Sequence, residues 1–106
     1  MDVNVFLSSD ALKDLERIVA YIALDDVAAA ARMGNQLLDA ALSLTTFPER
    51  GRMVPEFGLS HLREIVFRSY RIIYRVNSAD NSVEIVRFWH GARGFPQIPR
   101  TRIRGA

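Results

Sequence analysis

A chain of 106 residues suffices for one compact domain and leaves no room for a second core. Hydrophobic residues at 49% and charged residues at 25% exclude a disordered chain, and the absence of cysteine excludes disulfides, thiolate nucleophiles and thiolate metal sites. The net charge of +2 hides an uneven spread. Residues 1–46 hold three basic against seven acidic side chains, a balance of −4, whereas residues 47–106 hold eleven arginines against five acids, a balance of +6. Lys13 is the only lysine, so the positive charge is almost wholly guanidinium, whose planar fork of donors suits carboxylate or phosphate. That second half predicts a basic face for an anionic partner, either an acidic protein segment or nucleic acid. The start, Met1-Asp2-Val3-Asn4, lacks the basic stretch and apolar run of a secretory leader, and no segment approaches the ~18 apolar residues that span a bilayer. A cytoplasmic protein without membrane contact is expected.

In chain order, Val3 to Leu7 reads as a short strand, and Ser8, Ser9 and Asp10 are N-cap candidates for the helix after it. Leu12, Leu15, Ile18, Val19 and Ile22 recur at helical spacing, with Lys13, Asp14, Glu16 and Arg17 on the other side. Asp25-Asp26 interrupts the pattern and caps a second helix, whose stripe is Ala30, Met33, Leu37, Ala41 and Leu44. So short a link makes the two helices an antiparallel hairpin. Phe47-Pro48 ends the second helix, because the residue before proline avoids helical geometry. Residues 48–60 read as loop, punctuated by Gly51, Pro55 and Gly58. Leu62–Phe67, Tyr70–Val76 and Val83–His90 read as strands with short polar links, hence antiparallel neighbours. In the middle strand Tyr70, Ile72, Tyr74 and Val76 share one face, and Arg71, Ile73 and Arg75 the other. The tail from Gly94 onward is expected to lack regular structure. The predicted fold is α+β: an N-terminal strand, then a two-helix hairpin packed on one face of a curved, mostly antiparallel sheet.

Four patterns sharpen this reading. A Ser9 opening leads into Asp14-Leu15-x-x-Ile18-x-x-Tyr21-Ile22, and the loop reads Phe47-Pro48-x-x-Gly51-Arg52-x-Val54-Pro55-Glu56. A strand pair reads Leu62-Arg63-Glu64 and Tyr70-Arg71-Ile72-Ile73-Tyr74, and the last strand closes on Phe88-Trp89-His90-Gly91-Ala92-Arg93. In this order the chain resembles the RelE/ParE superfamily of type II toxin–antitoxin toxins, and the Gly-Arg-x-x-Pro-Glu loop with His-Gly-Ala-Arg resembles its ParE branch. The resemblance covers residues 5 to about 96, so a toxin domain over 1–96 and a basic tail over 97–106 are expected.

The resemblance implies two chemistries. ParE-like toxins poison DNA gyrase by binding it, whereas RelE-like toxins cut messenger RNA on the ribosome. An inactive homologue working only in complex with its antitoxin is a third reading, kept open by Gly94, where ParE-like chains often carry an acid. Of the RelE-type basic groups the sequence matches Arg71 and Arg93; the late tyrosine and the loop lysines are missing, and Gly51-Arg52 stands in the loop instead. A nuclease here would use Arg71 and Arg93 on the phosphate and His90, the only base within reach, for proton transfer. A binder would present Arg63, Arg71, Trp89, His90 and Arg93 to its target. A ParD-like antitoxin would lay a helix in a groove between Leu15, Ile18, Met33 and Leu37 and meet Arg52, Arg75 and Arg87 with acidic residues. Nucleic acid enters only through the antitoxin complex. Each residue also has a structural reading: His90 packs at a strand end, Arg93 pairs with Glu64 or caps the sheet, Arg71 pairs with Glu64 or Glu84, Arg52 ties to Glu56, and Trp89 covers the core. With two histidines and no HExxH or clustered carboxylates, neither a metal nor another cofactor is expected.

Overall fold

The computed structural model describes residues 3–103, so Met1, Asp2 and the last three residues of the tail lie outside it. Strand β1 (Asn4–Leu7) leads into helices α1 (Ser9–Ala23) and α2 (Val27–Leu42). Strands β2 (Arg52–Met53), β3 (Leu62–Phe67), β4 (Tyr70–Asn77) and β5 (Ser82–His90) follow, and a short helix α3 (Arg100–Ile103) comes last. The sheet order is β1-β5-β4-β3-β2, with β1 parallel to β5 and every other pair antiparallel. This is the expected α+β hairpin-on-sheet fold. The two-residue β2 is an addition: the loop's Arg52-Met53 joins the sheet edge opposite Glu64 and Arg63.

The caps follow from the sequence. Ser8 Oγ accepts from the Ala11 amide and Asp26 Oδ1 from the Ala29 amide, each at 3.0 Å, which satisfies amides that a helix start leaves free. α1 is rotated from the expected stripe. Ala11, Asp14 and Leu15 are buried, while Leu12 is half exposed. On α2, Ala30, Gly34, Leu37 and Ala41 face inward, and a Cβ at Gly34 would stand 3.0 Å from Val19 Cγ2, so glycine lets the two helices close up.

The helix hairpin covers one sheet face through a core that includes Leu15, Leu37, Leu44, Ile72, Tyr74, Ile85 and Phe88. A smaller core of Val54, Leu62, Ile73, Val86 and Trp89 lies on the opposite face, covered by Phe57, Leu59 and Ile98. One irregularity on β5 makes both possible. Ile73 pairs with Arg87 and Tyr74 with Ile85, which leaves Val86 as an extra residue. Ile85 and Phe88, three apart, therefore share the helix face, which a regular strand would forbid.

β1 ends opposite Ile85, and α1 then takes over the edge of β5. The Ser8 amide donates to the Ile85 carbonyl (2.9 Å), the Ser8 hydroxyl to the Val86 carbonyl (3.0 Å), and the Phe88 amide to Asp14 Oδ2 (3.1 Å). The tail is more ordered than expected. Ile98 joins the smaller core, the Phe95 and Phe57 rings meet edge to face at 5.5 Å, and the Ile103 carbonyl lies 2.6 Å from His61 Nε2. No helix among the described residues is long and apolar enough to cross a membrane.

Candidate functional site

The loop motif is a clamp on the sheet. Gly51 donates its amide to the Tyr74 hydroxyl (2.9 Å), and a Cβ there would stand 2.5 Å from the Glu64 carbonyl oxygen and 2.6 Å from that hydroxyl. Only glycine fits so close an approach. The next residue, Arg52, donates from Nε to Glu64 Oε2 at 2.7 Å, and not to Glu56 as one reading expected. Glu56 instead receives both Nη groups of Arg71, at 2.8 and 2.7 Å, while Arg71 Nε donates to Glu64 Oε1 at 2.6 Å. Arg71 is thus tied on two sides by carboxylates, Glu64 and Glu56 rather than Glu84. The bonds to Arg71 hold the Glu56 carboxyl below its ordinary range, and the Glu56 bonds in turn raise the Arg71 guanidinium. Arg63 donates to the Gly51 and Ser60 carbonyls, closing the clamp.

The remaining sheet arginines are matched in the same way. Arg87 grips Asp14 with two bonds of 2.7 and 2.8 Å, a bidentate pair that raises the guanidinium. It also donates to the Gln97 carbonyl at 2.8 Å. Glu84 stands between Arg75 (3.8 Å) and Arg102 of the tail (2.7 Å). Five arginines of the basic half, Arg52, Arg71, Arg75, Arg87 and Arg102, are therefore set against acids from within.

Trp89 is 2% exposed and donates its indole N–H to the Gly94 carbonyl, so it is not an open anchor for a target. Its ring is capped by the Arg93 guanidinium at 3.8 Å and flanked by Arg87 at 4.9 Å. Arg93 does not pair with Glu64. The groove expected on the hairpin is filled from within: Leu15 and Leu37 belong to the core, and Ile18 and Met33 pack half-buried against it. What the hairpin presents instead is Tyr21, Leu24 and Val27, all largely exposed at its tip.

His90 and Arg71 are not brought together. His90 meets Tyr70 edge to face at 5.1 Å on the helix side, whereas Arg71 works with Glu56 and Glu64 on the other face. Nδ1 of His90 accepts from the Ala92 amide at 3.1 Å, which starts the short turn Gly91–Arg93. What His90 and Arg93 do share is a cleft of about 170 Å³ between α1 and the end of β5, lined also by Asp14, Arg17, Ile18, Tyr21, Tyr70 and Phe88. Burial raises the Tyr70 hydroxyl above its ordinary value. Arg17 and Tyr21 were missed as site residues because the expected stripe put Arg17 among the outward polar residues of α1. The signal was present: positions 14, 17, 18 and 21 fall on one side of a helix.

Residues 5–95 match the family described as the ParE toxin of the type II toxin–antitoxin system parDE. The chain belongs to that family. Among relatives of this ParE-family chain, toxin RelE1 of Caulobacter vibrioides is 37% identical over 86% of the chain and 96% of its own length. Toxin RelE2 of the same organism is 45% identical over 78% and 89%, respectively. The fold matches a solved toxin–antitoxin complex, RelBE2 of Mycobacterium tuberculosis, with a TM-score of 0.66 at 21% identity over 85% of this chain and 99% of that one. The ParE-family chain is thus a toxin of the type II toxin–antitoxin class, with relatives that carry the RelE name.

Proposed function

We propose that this toxin arrests growth by binding DNA gyrase and is silenced by a cognate ParD-like antitoxin. The observation that carries the reading is the fate of Arg71. A nuclease needs its arginine free to meet a scissile phosphate, and here three of that guanidinium's nitrogens are held by Glu56 and Glu64. An arginine so held contributes a rigid, shaped surface, which suits docking on a protein. Gyrase as the target rests on the resemblance of the loop and the His-Gly-Ala-Arg ending to the ParE branch. An antitoxin partner is supported by the likeness to a chain solved as a toxin–antitoxin complex. On the hairpin, Ile18 and Met33 remain for its apolar residues, and Arg52, Arg75 and Arg87 line the sheet side.

A second reading, ribosome-dependent cleavage of messenger RNA, draws on the cleft that gathers His90, Tyr70, Tyr21, Arg17 and Arg93, and on the RelE names of the relatives. Pulse-labelling just after induction of the toxin without antitoxin separates the two. We expect thymidine incorporation to fall first. If amino-acid incorporation falls first, and His90→Ala abolishes the effect, the nuclease reading replaces this one.

A further inference from the structure

Among the described residues, Arg52, Arg71, Arg75, Arg87 and Arg102 are matched by internal acids and Arg63 by backbone carbonyls, whereas Arg17 and Arg93 are among the arginines with no acidic partner. Arg93 rests on the face of Trp89, a contact that leaves its N–H donors unused, and Arg17 is exposed on α1. Both line the same cleft. Asp14, the acid in that cleft, is already neutralised: its two oxygens are taken by Arg87 and the Phe88 amide. The cleft therefore carries a net positive charge over walls of Ile18, Phe88 and the Tyr21, Tyr70 and His90 rings. Its volume, about 170 Å³, lies below the roughly 300–1,000 Å³ that small-molecule ligands occupy. That is room for one or two side chains.

We infer that this cleft seats an acidic segment of the antitoxin, with a carboxylate between Arg17 and Arg93 and an apolar neighbour on the aromatic wall. The inference rests on the antitoxin half of the proposed function and is independent of the target. It moves the charged contact from the sheet arginines, which the protein satisfies itself, to two arginines without an acidic partner that line one cleft. A carboxylate entering there gains charge-assisted bonds from two forks without breaking an internal ion pair.

The test is the affinity of the purified full-length toxin for a purified ParD-like antitoxin at low and high salt. The double variant Arg17→Glu/Arg93→Glu should bind at least 10-fold more weakly, because a carboxylate would then meet two of its own kind. Arg32→Glu, an exposed change on α2 outside the cleft, should bind as wild type does. Arg17→Ala/Arg93→Ala should flatten the salt dependence, and a thermal melt confirms that each variant is folded. Unchanged affinity in the double variant overturns the inference. Unchanged affinity with lost toxicity also overturns it and gives the cleft to the target. An antitoxin that binds neither wild type nor variant removes the parent reading and this inference with it. A failed gyrase reading shows only in the order of labelling, which this measurement does not touch.

Discussion

The two faces of the sheet are closed by different physics. On the helix side α1 and α2 bury a continuous apolar layer, with Leu37, Leu44, Ile72 and Ile85 fully enclosed. On the other side a small core around Trp89 and Ile73 is ringed by Arg52, Arg71, Arg75, Arg87 and Arg102, each set against a carboxylate. Apolar burial carries no charge to titrate and is non-directional, so it depends on packing rather than on pH. Ion pairs fix geometry at the cost of desolvation and contribute little net stability, so the second face is specified more than it is stabilised. A surface meant to be recognised benefits from that kind of rigidity.

The largest effect should come from the helix side. Leu37→Ala should cost about 3–5 kcal/mol in urea denaturation, since the site is fully enclosed and cannot readily collapse. A much smaller loss would mean that the hairpin rests loosely on the sheet. Glu64→Ala comes next, at about 3 kcal/mol, the lower end for breaking a buried pair, because Arg52 and part of Arg71 can turn to water. Were Glu64→Ala nearly neutral, the claim that carboxylates organise this face would fall. The smallest effect is in acid. Arg71 depresses the Glu56 carboxyl, so the stabilisation from this pair is complete above the ordinary glutamate range and is lost as pH falls through the lowered value. Glu56→Gln should therefore reduce the acid-side slope of the denaturation midpoint, while Leu37→Ala leaves that slope unchanged.

Much of the fold could be read from periodicity, because alternation in β4 and the 3.6 repeat of α2 act locally. The rotation of α1 could not: Asp14 looks like a surface acid until Arg87, 73 positions away, gives it a buried partner. The same holds for the basic half of the chain. Composition revealed eleven arginines but not that Glu56, Glu64, Glu84 and Asp14 would fold onto five of them, since ion pairing across strands depends on register. The extra residue at Val86 changes that register and, with it, which side Arg87 and Trp89 serve. The Gly51-Arg52 motif supported the resemblance, yet its physical role as a clamp on Glu64 and Tyr74 appears only when β2 meets β3.

The pairing of β1 with β5 bears on how the protein is made. Residues near the start find their partners 78 positions later, where the Ser8 hydroxyl reaches the Val86 carbonyl. During synthesis the first strand and the cap of α1 must wait, unmatched, until nearly the whole domain has been translated. Closure of the sheet is therefore a late and comparatively slow step. A prematurely truncated product would lack the edge that fixes α1 on the sheet, so the cell meets a competent toxin only when the last strand is complete.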